Sequence, residues 1–223
     1  MEYHGGIDLA NLTTEDTEAV NRGLVNLERH FENITKVYNL PCVVLINQFT
    51  SDTKAEIALI EKRMGELGVN VVLASHWSEG GKGAADLARI VVDMCESDHH
   101  RMQYVYDDED ILWEKINKIA KKVYRAREVT ADSKVQAQIE NLQKQGYGHD
   151  PVCVAKTQGS FSTDPKSRGA PDNHVISMRE IRLAAGAEFV VMVCGNIMTM
   201  PGLPQDPSAG NIDYIDAKVV GLF

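Results

Sequence analysis

The chain has 223 residues, with 23 Lys and Arg against 32 Asp and Glu, for a formal net charge of −9. That balance excludes the basic footprint of a nucleic-acid binder, and no apolar run approaches the ~20 residues that cross a bilayer. Met1-Glu2-Tyr3-His4-Gly5 lacks the basic and apolar regions of a signal peptide, so a cytoplasmic protein is expected, long enough to bury roughly 70% of its unfolded surface.

In chain order, Val20, Leu24, Leu27, Phe31, Ile34 and Val37 repeat at helical spacing after the cap-like Thr13-Thr14-Glu15-Asp16. Asn39-Leu40-Pro41 then turns into an apolar run over 43–46. A second helix is marked by Thr53 and Glu56 at capping-box spacing, by Ile57, Ile60, Met64 and Leu67, and by Gly68 as a left-handed stop. The run 69–74 follows, and the three segments read as one βαβ unit. Both runs are continuous rather than alternating, which predicts parallel strands covered on two faces. Glycines 80, 81 and 83 open another helix with Leu87, Val91 and Met94. A polar break at 96–101 divides the chain into an α/β unit over 1–100 and a C-terminal α/β domain over 101–223. Two helices follow it, one with Leu112, Ile116, Ile119 and Val123, the other with Val135, Ile139 and Leu142, ending at Gly146. Strands are expected at 151–156 and 189–194, with a polar stretch at 158–173 between them and 174–183 unassigned. A loop of that length is functional or disordered. The fold class expected is α/β: a mixed, mainly parallel sheet with covering helices, followed by a smaller C-terminal α/β domain.

Each run of the βαβ unit ends in a polar turn with one aromatic, Phe49 in Asn47-Gln48-Phe49-Thr50-Ser51-Asp52 and Trp77 in Ser75-His76-Trp77-Ser78-Glu79-Gly80. Both would stand at the carboxyl ends of neighbouring parallel strands, where open α/β sheets bind ligands. There they could clamp a flat heterocycle, or be ordinary core aromatics. Gly80-Gly81-Lys82-Gly83 could bind an anion through free N–H groups or serve close helix–strand packing. It is not a phosphate loop, because no Ser or Thr follows Lys82 and the first glycine is missing.

Cys42, Cys95, Cys153 and Cys194 form no C-x-x-C pair and read as small buried hydrophobes. His99 and His100 read as a solvated turn, so no metal ligands are assigned. Lys156 could face an anion or extend to solvent, and Arg179 or Arg182 should pair with Glu180 or Glu188.

Four segments resemble the formate–tetrahydrofolate ligases, in order and at the family's intervals: Val43-Val44-Leu45-Ile46-Asn47-Gln48-Phe49, His76-Trp77-Ser78-Glu79-Gly80-Gly81-Lys82-Gly83, Gly146-Tyr147-Gly148-His149-Asp150-Pro151-Val152-Cys153-Val154-Ala155-Lys156-Thr157 and Ile197-Met198-Thr199-Met200-Pro201-Gly202-Leu203-Pro204. The resemblance runs from about His4 to Val220-Gly221-Leu222-Phe223 and concerns only the C-terminal part of that family. It implies ATP-dependent formylation of tetrahydrofolate at N10 through formyl phosphate. Phe49, Thr50 and Trp77 would then hold the pterin, and the loop Ser167-Arg168-Gly169-Ala170-Pro171 would lie near adenine, with Gly169, Ala170 and Pro171 as contacts; a plain surface turn is the alternative.

No phosphate loop occurs in the 223 residues. The resemblance puts that loop, with the formate and Mg²⁺ residues, in an N-terminal portion that would be this chain's partner in a homo- or hetero-oligomer. No catalytic residue is therefore assigned here, and the isolated chain is expected to be inactive. The alternative is a non-catalytic folate-binding or assembly module. The sequence departs from the family's pattern at Thr50 (usually Pro), Gly159 (an aromatic), Glu188 (a small residue), Asn196 (Asp) and Arg125 (Gly), which leaves open a divergent member with weakened activity.

Overall fold

The structure, a computed structural model, describes residues 1–97, 101–195, 197, 205–215 and 218–221. His99, His100, Asn196 and most of the fourth family-like segment lie outside the described residues. Helix α1 spans Thr17–Glu32 and is capped by Asp16, whose carboxylate accepts from the Ala19 N–H at 2.8 Å. Its last turn widens into a π-helical segment, Asn33–Val37, closed by the Tyr38 N–H on the Asn33 carbonyl. The apolar repeat does extend to Val37, but its hydrogen bonding changes at Asn33.

Strands β1 (Val43–Asn47) and β2 (Asn70–Ala74) pair in parallel across helix α2 (Lys54–Glu66). The Thr53 and Glu56 capping box is formed at the head of α2, and Gly68 has φ 74°. Against one face of the pair, Val44, Met64 and Val69 pack with Leu27, Phe31, Ile60 and Val71. Helix α3 (His76–Glu79) is a single turn, and a 3-10 segment, Gly80–Ala84, leads into helix α4 (Ala85–Ser97), which approaches both strands. Cover on the two faces is less complete than the apolar runs predict: Leu45 is 38% and Leu73 43% exposed, and no residue of α4 is fully buried.

The larger sheet takes its strands from later in the chain. Helix α5 (Leu112–Lys122) precedes β3 (Glu128–Ala131), and α6 (Ser133–Lys144) ends before Gly146, whose φ is 98°. Strands β4 (Val152–Ala155), β5 (Val175–Ala184) and β6 (Phe189–Cys194) complete the order β3-β5-β6-β4. The β3–β5 and β4–β6 pairs are parallel and β5–β6 is antiparallel, so parallel pairing dominates. Leu112, Ile116, Val135 and Ile139 from the two helices and Ile176, Ile181, Val190 and Met192 from the strands build its core. A short hairpin, β7 (Asp213–Ile215) and β8 (Lys218–Val220), follows.

Helix α1 joins the two sheets. Its polar flank carries Asn26, Arg29 and Asn33, all buried. The Asn26 amide donates to the Gly169 carbonyl at 2.8 Å, Arg29 pairs with Asp172 at 3.0 Å, and the Asn33 amide donates to the Val123 carbonyl at 3.0 Å. These residues recur at 3-4 spacing opposite the apolar stripe, a second stripe visible in the sequence once a partner for it is suspected.

Candidate functional site

The loops after β1 and β2 are tied together. The Gln48 N–H donates to the Ala74 carbonyl at 3.2 Å, and the Trp77 indole N–H donates to the Gln48 carbonyl at 2.6 Å. Asp52 accepts the Phe49 N–H at 2.7 Å, closing the turn that displays the Phe49 ring. Phe49 is 56% and Trp77 55% exposed, and Thr50 between them is exposed. Neither aromatic is a core residue, which removes that alternative.

A cavity of about 290 Å³ opens beside Phe49 and is bounded by α1, α2 and the successive β1 residues Val44, Leu45, Ile46 and Asn47. Trp77 lies outside it. At the rim stands Glu56, whose carboxylate accepts from the Asp16 N–H at 2.9 Å and from the Thr53 hydroxyl at 2.9 Å. Burial pushes its pKa up, but these hydrogen bonds outweigh burial and hold it below the ordinary carboxylate range.

Of the glycines after Trp77, Gly83 has a packing role: a Cβ there would stand 2.6 Å from the Ser75 carbonyl carbon. Gly80 has φ 61°, and a Cβ on Gly80 or Gly81 would meet nothing within 4 Å. Close backbone approach therefore accounts for Gly83 and the left-handed turn for Gly80.

The 158–173 stretch holds no strand or long helix but is internally pinned. Gly169 is buried, has φ 74°, and a Cβ there would meet a Val25 methyl at 3.3 Å. Ala170 and Pro171 are half-buried. Helix α1 stands between this loop and Phe49: Val20 and Leu27 line the cavity, whereas Asn26 and Arg29 hold the loop. Val20 and Arg29 leave α1 about 180° apart at ~100° per residue. The two sets of predicted residues thus flank one helix and do not touch.

Lys156 is half-buried at the wall of a small cavity, and its ammonium is engaged by carbonyls. It donates to the Thr157 carbonyl at 2.8 Å and to the Ser160 carbonyl, and lies 5.1 Å from the centre of the Tyr124 ring. Burial lowers its pKa and that of His30, whose ring packs 4.5 Å from Phe161.

Other expectations change. Cys194 is buried, with its thiol pushed up to about 12 by burial, but Cys95 and Cys153 are exposed rather than core residues. Glu188 is exposed, at φ 53°, so no buried charge arises there. Arg182 forms the expected pair with Glu180 at 2.7 and 2.8 Å. Among the described residues, no group of three His, Cys, Asp or Glu side chains could hold a metal ion, and no helix is long and apolar enough to cross a membrane.

The family model described as "Formate--tetrahydrofolate ligase" matches residues 1–223. The chain belongs to the formate–tetrahydrofolate ligase family. It is 55% identical over 227 residues to the formate–tetrahydrofolate ligase of Methylibium petroleiphilum, with 100% of this chain and 40% of the relative covered. To the ligases of Methylobacillus flagellatus and Pelagibacter ubique it is 50% and 44% identical, again with all of this chain and 40% of the relative aligned. The chain therefore spans about 40% of the length of the curated ligases that it matches. Within the ligase family, the resemblance drawn from the motifs around Phe49, Trp77 and Lys156 holds over the whole chain.

Proposed function

We propose that this chain acts as the C-terminal portion, or small subunit, of a formate–tetrahydrofolate ligase and supplies its tetrahydrofolate site. The observation that carries the reading is the pair of half-exposed rings, Phe49 and Trp77, at the carboxyl ends of two parallel strands whose loops are hydrogen-bonded together. The rings are the walls of a pterin clamp, with Thr50 at its edge. The indole N–H spent on Gln48 fixes the ring's plane before ligand arrives, which lowers the ordering cost of binding.

Ala170 and Pro171 form the apolar part of a nucleotide wall, and Gly169 supplies the left-handed turn that presents them. The phosphoryl chemistry belongs elsewhere. Transfer from ATP to formate requires cations around the migrating group, and the sequence has no phosphate loop. No step at the metal is assigned to this chain's residues. ATP with Mg²⁺ is bound mainly by the N-terminal portion, in a cytoplasmic oligomer, and the unit over 1–100 contributes the folate loops while 101–223 contributes the nucleotide wall.

The test is reconstitution. The purified chain with formate, Mg-ATP and tetrahydrofolate should form no 10-formyltetrahydrofolate, whereas co-expression with the part of the Methylibium petroleiphilum ligase outside the matched segment should restore it. Turnover by the chain alone would refute the division of labour. A reconstituted complex that binds no folate would leave a non-catalytic assembly module.

A further inference from the structure

From four tyrosines that converge on one cavity we infer that this chain binds a small organic cation of the methylated ammonium class, at a site apart from the folate and nucleotide loops. The cavity holds about 330 Å³ and is walled by Tyr38, Tyr104, Tyr106 and Tyr124, with Asp108 also in its lining. These are four of the chain's seven tyrosines, brought together from the end of the π-helical turn, the segment before α5 and the turn after α5. The other lining residues are Val, Ile and Pro, so Asp108 is the one charged group among the described residues that line it. Phe49, Trp77 and the 169–171 loop lie outside that lining. Val20 lines the cavity beside Phe49, and at ~1.5 Å per residue Tyr38 stands roughly 25 Å further along α1 and its π-helical turn. Cation binding there is independent of the folate reading.

Aromatic faces carry negative charge density and attract cations, most strongly where water is excluded. Two of these rings already do so inside the fold: Lys115 Nζ lies 5.5 Å from the centre of the Tyr106 ring and Lys156 Nζ 5.1 Å from that of Tyr124. Lys156 lines a separate cavity of about 270 Å³, and Tyr124, which lines both, is the partition between them. A ring with a cation on one face is the weaker partner on the other, so Tyr38 and Tyr104 carry most of the attraction. The walls are set before ligand arrives: the Gln103 N–H donates to the Tyr38 carbonyl at 2.8 Å, and the Tyr106 hydroxyl accepts the Val152 N–H at 3.0 Å. Of the nearby α5 lysines, Lys115 donates to the Gly148 and Asp150 carbonyls, Lys118 to Asp110 and Lys122 to the Val105 carbonyl, and none of the three lines the cavity. Asp108 belongs to the run Asp107-Asp108-Glu109-Asp110, which repels anions from this mouth. A compact ammonium holds its water strongly. Methyl groups weaken that hydration and fill the apolar volume, which is within the range of small-ligand pockets.

The experiment titrates the full chain with choline by calorimetry at constant ionic strength, beside the tert-butyl analogue of choline, an uncharged alcohol of the same shape. One choline should bind per chain, and the alcohol should bind about tenfold or more weakly. Tyr104 is 78% exposed and Asp108 is exposed, so changes at either should leave the thermal melt at the parent's. Tyr104→Leu keeps apolar bulk and loses the ring; it should weaken choline about threefold or more, with Tyr104→Phe within about twofold of the parent. Asp108→Asn should weaken choline by about threefold, and Glu109→Gln, exposed on the same run but outside the lining, should act less. If Tyr104→Leu lowers the melt, Asp108→Asn and the alcohol comparison decide. Overturning results are the absence of saturable choline binding, an alcohol that binds as well as choline and so makes the cavity merely apolar, or a choline affinity indifferent to both Tyr104→Leu and Asp108→Asn, which would put the cation on another surface.

Discussion

Arg29 shows how much one polar residue on α1 carries. It is 4% exposed, lies 5.6 Å over the Phe161 ring and holds Asp172 at 3.0 Å. Because Asp172 remains solvated, removing Arg29 strands no buried carboxylate, and the loss is of packing and of its bonds to Asp172 and to the Ala170 carbonyl. Arg29→Ala should cost about 1–3 kcal/mol and speed hydrogen exchange in 169–172; an unchanged urea midpoint would contradict the role given to this pair. Glu188 presents the opposite case, an exposed residue held at φ 53°. The left-handed conformation costs a residue with a Cβ roughly 1–2 kcal/mol, and the family's usual small residue there fits that geometry. Glu188→Gly is therefore expected to raise stability by about 1 kcal/mol in denaturant titration, and a loss would show that the turn is not strained.

The elements divide by how local their causes are. Helix α2 was legible because its capping box, apolar repeat and left-handed Gly68 all lie within its own segment, and β1 and β2 because their apolar runs flank it. Thr53→Ala should cost about 1 kcal/mol, and Glu56→Ala should cost more, since Glu56 also accepts the Asp16 N–H and so ties α2 to the head of α1. Equal losses measured by urea denaturation would show that the tie to α1 contributes nothing. Strand β3 was not legible: Glu128-Val129-Thr130-Ala131 is short, and its identity as a strand depends on pairing with β5, more than forty residues on. The same holds for the π-helical turn at Asn33, fixed by the bond from Asn33 to Val123. The exposure of Cys95 and Cys153 likewise depends on what packs over α4 and β4, which composition does not encode.

At the scale of the molecule, α1 joins a small parallel unit to a four-stranded sheet, and the predicted folate and nucleotide residues stand on its two flanks. Motif spacing made Phe49 and Trp77 legible as exposed residues at strand ends, but the separation of Gly169 from them is a property of the tertiary arrangement. Burial lowers the pKa of His4, His30 and His174. A histidine with a folded pKa below its unfolded value of about 6.5 binds fewer protons when folded, so its contribution is present above that value and lost as pH falls. Melting temperature should drop as pH is lowered from 7 toward 5, and His30→Gln should flatten that slope; a melt independent of pH over this range would contradict it.

The pterin clamp is the central claim, and tetrahydrofolate titration of the reconstituted complex, with Trp77→Ala and Phe49→Ala variants, tests it most directly. An aromatic stack contributes roughly 0.5–1.5 kcal/mol beyond buried area, so losing one wall should weaken binding about tenfold or more. Trp77→Ala should have the larger effect, because indole offers the larger face. Both rings are more than half exposed, so denaturant melts of the variants should stay within about 1 kcal/mol of the parent, far from the 3–5 kcal/mol of a core aromatic. Folate affinity unchanged in Trp77→Ala, together with a large loss of stability, would contradict the account and return Trp77 to a structural role.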